Sequence, residues 1–253
     1  MSTLTFLGTG SSYGVPSPGC TCFVCRRGFK PLATWYRTRS SVLVQNKGFS
    51  ILVDCSPDFR EQALRNNIRK IDLCLVTHSH ADAVGGIPDL RGYSCEERKT
   101  IPVLANPKAL KSIRRMFSYA FNEKVKTSKP QLELKKMPKT MRLAGMRITP
   151  FEVIHPPLLT QGFRFNDLAF ISDIKQLPKK SEKLLAGIKT LIIMGNSDRE
   201  YYSHQTIFES VKMAKRLKAK RVFFTHIGHR IERIKVKLPK GMQLAHDGLK
   251  IKF

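Results

Sequence analysis

Acidic residues are scarce in this chain. Nineteen Asp and Glu stand against 45 Lys and Arg, for a formal net charge of +26 over 253 residues. Long apolar runs are missing as well; no segment approaches the roughly 18 consecutive apolar residues of a transmembrane helix, so no membrane span is expected. The start of the chain, "TLTFLGTG", alternates like a strand. It shows neither a basic-then-apolar signal peptide nor an Arg/Ser-rich transit segment. A cytoplasmic location is the default expectation, with a mitochondrion or other organelle as the alternative if the chain is ribosome-associated. There is one Trp, and no stacking-aromatic RNA motif is visible. Repeats, low-complexity segments and linkers are also lacking, so a single domain spanning 1–253 is expected, long enough to bury a full core. Oligomeric state is not legible.

The excess of positive charge repels itself and attracts polyanions, chiefly nucleic acid. It fits an RNA or ribonucleoprotein partner, and it fits a Lys-rich coding bias equally well. The six cysteines divide into two sets. Cys55, Cys74 and Cys95 are scattered and read as buried small hydrophobes. Cys20, Cys22 and Cys25 are clustered, and without a secretory signal such a cluster points to a metal before a disulfide framework.

Strand-length apolar runs alternate with helical patterns. Strands are expected at 3–7, 41–45, 50–54, 73–77, 102–105, 132–136, 146–154, 168–172, 190–194 and 221–225. A closing pair, 242–245 and 249–253, is expected around the turn "HDG". Helices are expected at 57–66, 108–121, 180–186 and 205–218, with Ser56 as the cap of the first and Pro57 in its first turn. Residues 122–139 are the most polar stretch and the expected flexible insertion. Strands in adjacent runs, besides those alternating with helices, favour two sheets with helices outside.

Histidines number only seven and recur where strands leave the core. "CLVTHSHADAVGG" places His78, His80 and Asp82 on alternate positions of an extended loop after a strand. Imidazole and carboxylate together suit Zn2+, Mn2+ or Fe. His155 ends "ITPFEVIH", Asp173 ends "LAFISD" and His226 ends "RVFFTH".

Together these segments resemble the metallo-β-lactamase superfamily. "FLGTGSS", "ILVDCSPDFR", "VTHSHADAVGGIPDLR", "GFRFNDLAFISD", "FFTHIGH" and "LAHDGLKI" match it in order over nearly the whole length. The nearest branch is the phosphoribosyl 1,2-cyclic phosphate phosphodiesterase-like hydrolases; the tRNA 3′-processing endonucleases are more distant. The resemblance implies a four-layer αββα fold of class α/β (α+β), with two facing mixed sheets between helices. It implies His78, His80 and His155 on a first metal, and Asp173 bridging to a second metal that Asp82 and His226 also bind. Asp54 would steady the ligand loop. Mn2+ or Zn2+ would serve at this catalytic site, with one or two ions. His204, in "YYSHQ", would donate a proton to the leaving group. Cys20, Cys22 and Cys25 with His229 would form a separate closed structural Zn2+ site. The implied substrate is a cyclic or small phosphodiester.

Two positions depart from that pattern. Ala83 stands where the resemblance implies a further ligand to the second metal, and Gly195 stands where an acidic residue is usual. A one-metal enzyme, a laboratory substitution of the ligand and a degenerate scaffold each account for the loss. The rival expectation is therefore a catalytically degenerate, basic RNA- or ribosome-associated component.

Overall fold

Leu4 and Phe6 pack on one side of the first strand and Leu7 on the other, and this period of two recurs in strand after strand. Both faces of each sheet are covered by apolar side chains, which is why the central strands read as continuous hydrophobic runs. The computed structural model describes residues 1–30, 33–96, 99–126 and 128–253.

The strands are β1 (Thr3–Gly8), β2 (Ser41–Asn46), β3 (Phe49–Val53), β4 (Leu73–Leu75), β5 (Ile101–Ala105), β6 (Leu132–Lys136), β7 (Met141–Leu143), β8 (Met146–His155), β9 (Leu158–Phe165), β10 (Leu168–Ile171), β11 (Thr190–Met194), β12 (Arg221–Thr225), β13 (Met242–Leu244) and β14 (Lys250–Lys252). The α-helices are α1 (Phe59–Arg65), α2 (Ala81–Val84), α3 (Arg91–Glu96), α4 (Pro107–Met116), α5 (Lys179–Leu184), α6 (Ile207–Arg216) and α7 (His229–Ile234). They serve two mixed seven-stranded sheets, ordered β14-β1-β2-β3-β4-β5-β6 and β13-β12-β11-β10-β9-β8-β7. Val42, Val53, Leu75, Phe163, Phe170, Ile192 and Phe223 belong to the core between the sheets. Leu43, Leu52 and Cys74 pack outside the first sheet; Leu191, Ile193 and Phe224 pack outside the second. This is the αββα architecture expected.

Several local expectations are corrected. Residues 242–245 and 249–253 do not pair with each other. β13 runs parallel to β12 in one sheet, and β14 runs antiparallel to β1 in the other. The turn between them is tied elsewhere: the Asp247 carboxylate accepts hydrogen bonds from Thr9 Oγ1, the Thr38 amide, Thr38 Oγ1 and Arg65 Nη2, at 2.6–2.9 Å. Ser56 is not the cap of α1. Asp58 holds that position, after a turn in which the Phe59 amide donates to the Ser56 carbonyl. Cys95 is exposed on α3, whereas Cys55 and Cys74 are buried. β6, by contrast, falls at 132–136 as expected, paired in parallel with β5. β7 and β9 were not anticipated.

Candidate metal centre

Ends of strands from both sheets supply the site. Asp54 follows β3, His78 and His80 follow β4, His155 ends β8, Asp173 follows β10 and His226 follows β12. Asp54 and His226 adopt left-handed backbone, with φ of 59° and 53°. Non-glycine residues take that conformation at a cost, and it clusters at functional sites. Asp82 does not lie on an extended loop as expected. It sits in the first turn of the short helix α2, with His80 as the preceding cap residue.

His78, His80 and His155 form the first donor group, with ligand atoms within 4.8 Å of one another. Their rings meet edge to face at centroid separations of 4.7, 5.2 and 5.7 Å. The orientation of two rings follows from their other nitrogens. His155 Nδ1 donates to the Ser203 carbonyl at 2.8 Å. Thr77 donates to Asp54 through both its amide and its hydroxyl, each at 2.8 Å. The Thr77 oxygen then accepts from His78 Nδ1 at 2.9 Å. His78 Nε2 is left buried without a partner, an orphan that a ligated ion would satisfy. Burial takes the His78 pKa down to about 4, so its imidazole is neutral near pH 7, the form that ligates. Burial also pushes the Asp54 carboxyl well above its usual range, against the two Thr77 hydrogen bonds.

Asp82, Asp173 and His226 form the second donor group. His226 Nε2 lies 3.4 Å from Asp82 Oδ2 and 3.2 Å from Asp173 Oδ1. Burial opposes charge on His226, yet the Asp173 and Asp82 carboxylates raise its pKa to about 9. Burial likewise opposes ionisation of Asp173, but His226, His78 and the hydrogen bond from His204 hold it well below the usual carboxylate range. Asp173 and His155 also form a group with His204, whose Nε2 is 3.1 Å from Asp173 Oδ1. The donors are thus continuous from His80 to Asp82.

The two departures differ in structure. The Ala83 methyl is buried in the apolar layer outside the first sheet and offers no donor. A Cβ at Gly195 would lie 2.9 Å from Phe224 Cβ and 3.4 Å from Ile207 Cδ1. A side chain there would meet the apolar layer beneath α6.

A separate group brings the ends of the chain together. Cys20, Cys22 and Cys25 Sγ approach His229 Nδ1 at 3.3, 3.6 and 3.2 Å. Burial pushes the Cys25 thiol up to about 12, so a cation is needed to hold it as thiolate at neutral pH. Two contacts were missed in the sequence: the Thr77 relay and the Ser203 carbonyl. Only Thr77 carried a signal, as the hydroxyl residue directly preceding His78.

Residues 50–227 match the beta-lactamase superfamily domain. The chain belongs to that superfamily. It carries the fold and the convergent donor groups of the superfamily's metal-dependent hydrolases. A diphosphatase of the PhnP family, known by crystal structure, is 38% identical; the match covers 100% of this chain and 98% of that one, at a TM-score of 0.90. A Porphyromonas gingivalis protein named octanoyltransferase is 34% identical over 251 residues, or 96% of this chain. The chain spans about half the length of that protein. A ribonuclease Z of Bradyrhizobium diazoefficiens is 37% identical over 92 residues, 36% of this chain and 24% of the enzyme. Among the described residues, no helix is long and apolar enough to cross a membrane.

Proposed function

We propose that this chain is a metal-dependent phosphodiesterase acting on a cyclic or small phosphodiester, with a weakened second metal position. The carrying observation is the continuous donor set: His78, His80 and His155 join Asp82 and His226 through Asp173. The orphaned His78 Nε2 and the nitrogen–oxygen donor chemistry fit Mn2+ or Zn2+. When bound there, a divalent ion supplies Lewis-acid polarisation of phosphate and a water acidic enough to attack near neutral pH. His78 and His155 present ring nitrogens oriented by Thr77 and Ser203, and His80 completes the set. Asp173 serves both donor groups and orients His204. Hydrolysis joins a water oxygen to phosphorus and breaks the phosphorus–oxygen bond to the leaving group. His204 supplies the proton that the leaving oxygen needs. The similarity to a PhnP-family diphosphatase favours phosphorus chemistry over acyl transfer.

The second position keeps Asp82, Asp173 and His226 but gains nothing from Ala83, so it binds more weakly than a full set. The Cys20, Cys22, Cys25 and His229 group is assigned to structural Zn2+. A tetrahedral zinc with bonds of about 2.3 Å to sulfur and 2.0 Å to nitrogen has sulfur–nitrogen edges of about 3.5 Å. The separations of 3.2–3.6 Å match that figure.

Hydrolysis of bis(p-nitrophenyl) phosphate with added Mn2+ is the direct test. The wild type is expected to exceed a metal-only blank, and His80→Ala to fall to it. Equal rates for the two proteins contradict the reading.

One observation favours a second reading, an RNA-associated protein without turnover. Lys111, Arg114 and Arg115 on α4, and Lys212, Lys215 and Arg216 on α6, all lie on exposed faces. Contacts from such faces would go to phosphate and carry no sequence preference.

A further inference from the structure

Beside His204 lies a cavity of about 370 Å3 between the loop after β1 and the loop leading into α6. Its lining includes Ser11, Tyr13, Asn196, Tyr201 and Arg230. The two tyrosines are 69% and 46% exposed. The four aromatics between Phe23 and Tyr36 are, by contrast, engaged. Arg27 lies over Phe23 and Trp35 at 5.4 and 5.3 Å, and Phe29 meets Tyr36 edge to face at 5.2 Å. Tyr13 and Tyr201 have no ring or cation partner among the described residues.

Two polar side chains of this wall are similarly uncommitted. The Asn196 amide and the Ser11 hydroxyl make no side-chain hydrogen bond among the described residues, although Ser11 is buried and Asn196 half-buried. Asn196 is held by its backbone, whose carbonyl accepts from the Gly228 amide at 2.9 Å. Gly228 is required there, because a Cβ would sit 2.6 Å from that carbonyl oxygen. Arg230 pairs with Asp198 through Nε and Nη2 at 2.8 and 2.9 Å, leaving Nη1 without a partner among the described residues.

Free ring faces, a free amide and free hydroxyls in one cavity match the parts of a nucleoside. Aromatic faces stack on a base, an amide reads a base edge with paired donor and acceptor, and hydroxyls meet ribose. A sugar phosphate would use the hydroxyls but leave both rings idle. We infer that this cavity is a nucleoside subsite. Tyr13 and Tyr201 flank the base and Asn196 reads its edge, while the phosphodiester reaches the donor groups past His204. The substrate class becomes nucleotidyl phosphodiesters or diphosphates. For its catalytic meaning the inference rests on the phosphodiesterase reading.

The test is calorimetric titration of the purified full chain with adenosine 5′-monophosphate and, separately, ribose 5-phosphate. The adenosine ligand is expected to bind at least about tenfold tighter, the scale of one base–aromatic stack. Tyr13→Leu and Tyr201→Leu should each remove about tenfold of that affinity. Tyr201→Phe should keep it, because the ring and not the hydroxyl is the platform. Equal affinity for the two ligands, or Leu variants that bind adenosine 5′-monophosphate as the wild type does, overturns the inference. The bis(p-nitrophenyl) phosphate assay on the same preparation separates the two claims. Hydrolysis without a preference for the base removes the subsite alone. A preference for the base without hydrolysis removes the phosphodiesterase reading alone.

Discussion

Thr77 determines which nitrogen of His78 faces the site. Its hydroxyl donates to Asp54 and accepts from His78 Nδ1, so the ring presents Nε2. Partners of this kind typically contribute about 10- to 100-fold in metal affinity. Thr77→Val is expected to weaken metal binding at the histidine group by about that factor, while Thr77→Ser retains most of it. Competition with a chelator measures this, and unchanged affinity in Thr77→Val contradicts the relay. His78, His80 and Asp82 are legible in the sequence because their alternate spacing follows an apolar strand. Thr77 is marked there only as a hydroxyl beside His78, because its role depends on where β3 ends beside β4 and brings Asp54 within reach of its amide and hydroxyl. Gly195 reads in the sequence as a missing carboxylate, and a Cβ at that position would meet Phe224 and Ile207.

Strand ends and caps show where local pattern stops being informative. The central strands are readable because both faces are apolar, and β11 and β12 fall where periodicity puts them. α6 is readable too, since Thr206 and Glu209 form reciprocal bonds at its start. The start of α1 is not, because Arg39 claims the Asp58 carboxylate and the chain turns once before the helix begins. The last two strands fail for a longer-range reason. They look like a hairpin around His246–Gly248, but Asp247 is bonded to Thr9, Thr38 and Arg65. Those bonds hold the turn at the meeting of the two sheets, so each strand joins a different one. Asp247 is nearly buried beside Arg65, and breaking a buried pair by removing one charge costs about 3–5 kcal/mol. Asp247→Asn is therefore expected to lower unfolding free energy by about that amount, read from the urea midpoint. A change within about 0.5 kcal/mol, as at an ordinary surface site, contradicts this role.

Across the whole molecule, two facing sheets bring donors separated by as many as 148 residues to one edge, from His78 to His226. The thiol group beside them ties Cys20 to His229, and both His229 and Ser17 also line the proposed nucleoside cavity. Ser17 is linked to the thiols directly, its amide donating to Cys25 Sγ at 3.3 Å. The charge of +26 belongs to this scale as well. If its exposed lysines and arginines serve RNA, a homopolymeric RNA should bind at low salt, and the logarithm of affinity should fall linearly with the logarithm of salt concentration. Failure to bind at low salt contradicts that second reading. The most direct check on the central claim is elemental analysis of metal per chain, after reconstitution with Zn2+ and Mn2+, for the wild type beside Ala83→His. The account predicts more than one transition-metal ion per wild-type chain, with higher occupancy of the second position once the histidine is present. A wild-type chain that takes up no such ion, or a stoichiometry that Ala83→His leaves unchanged, would contradict it.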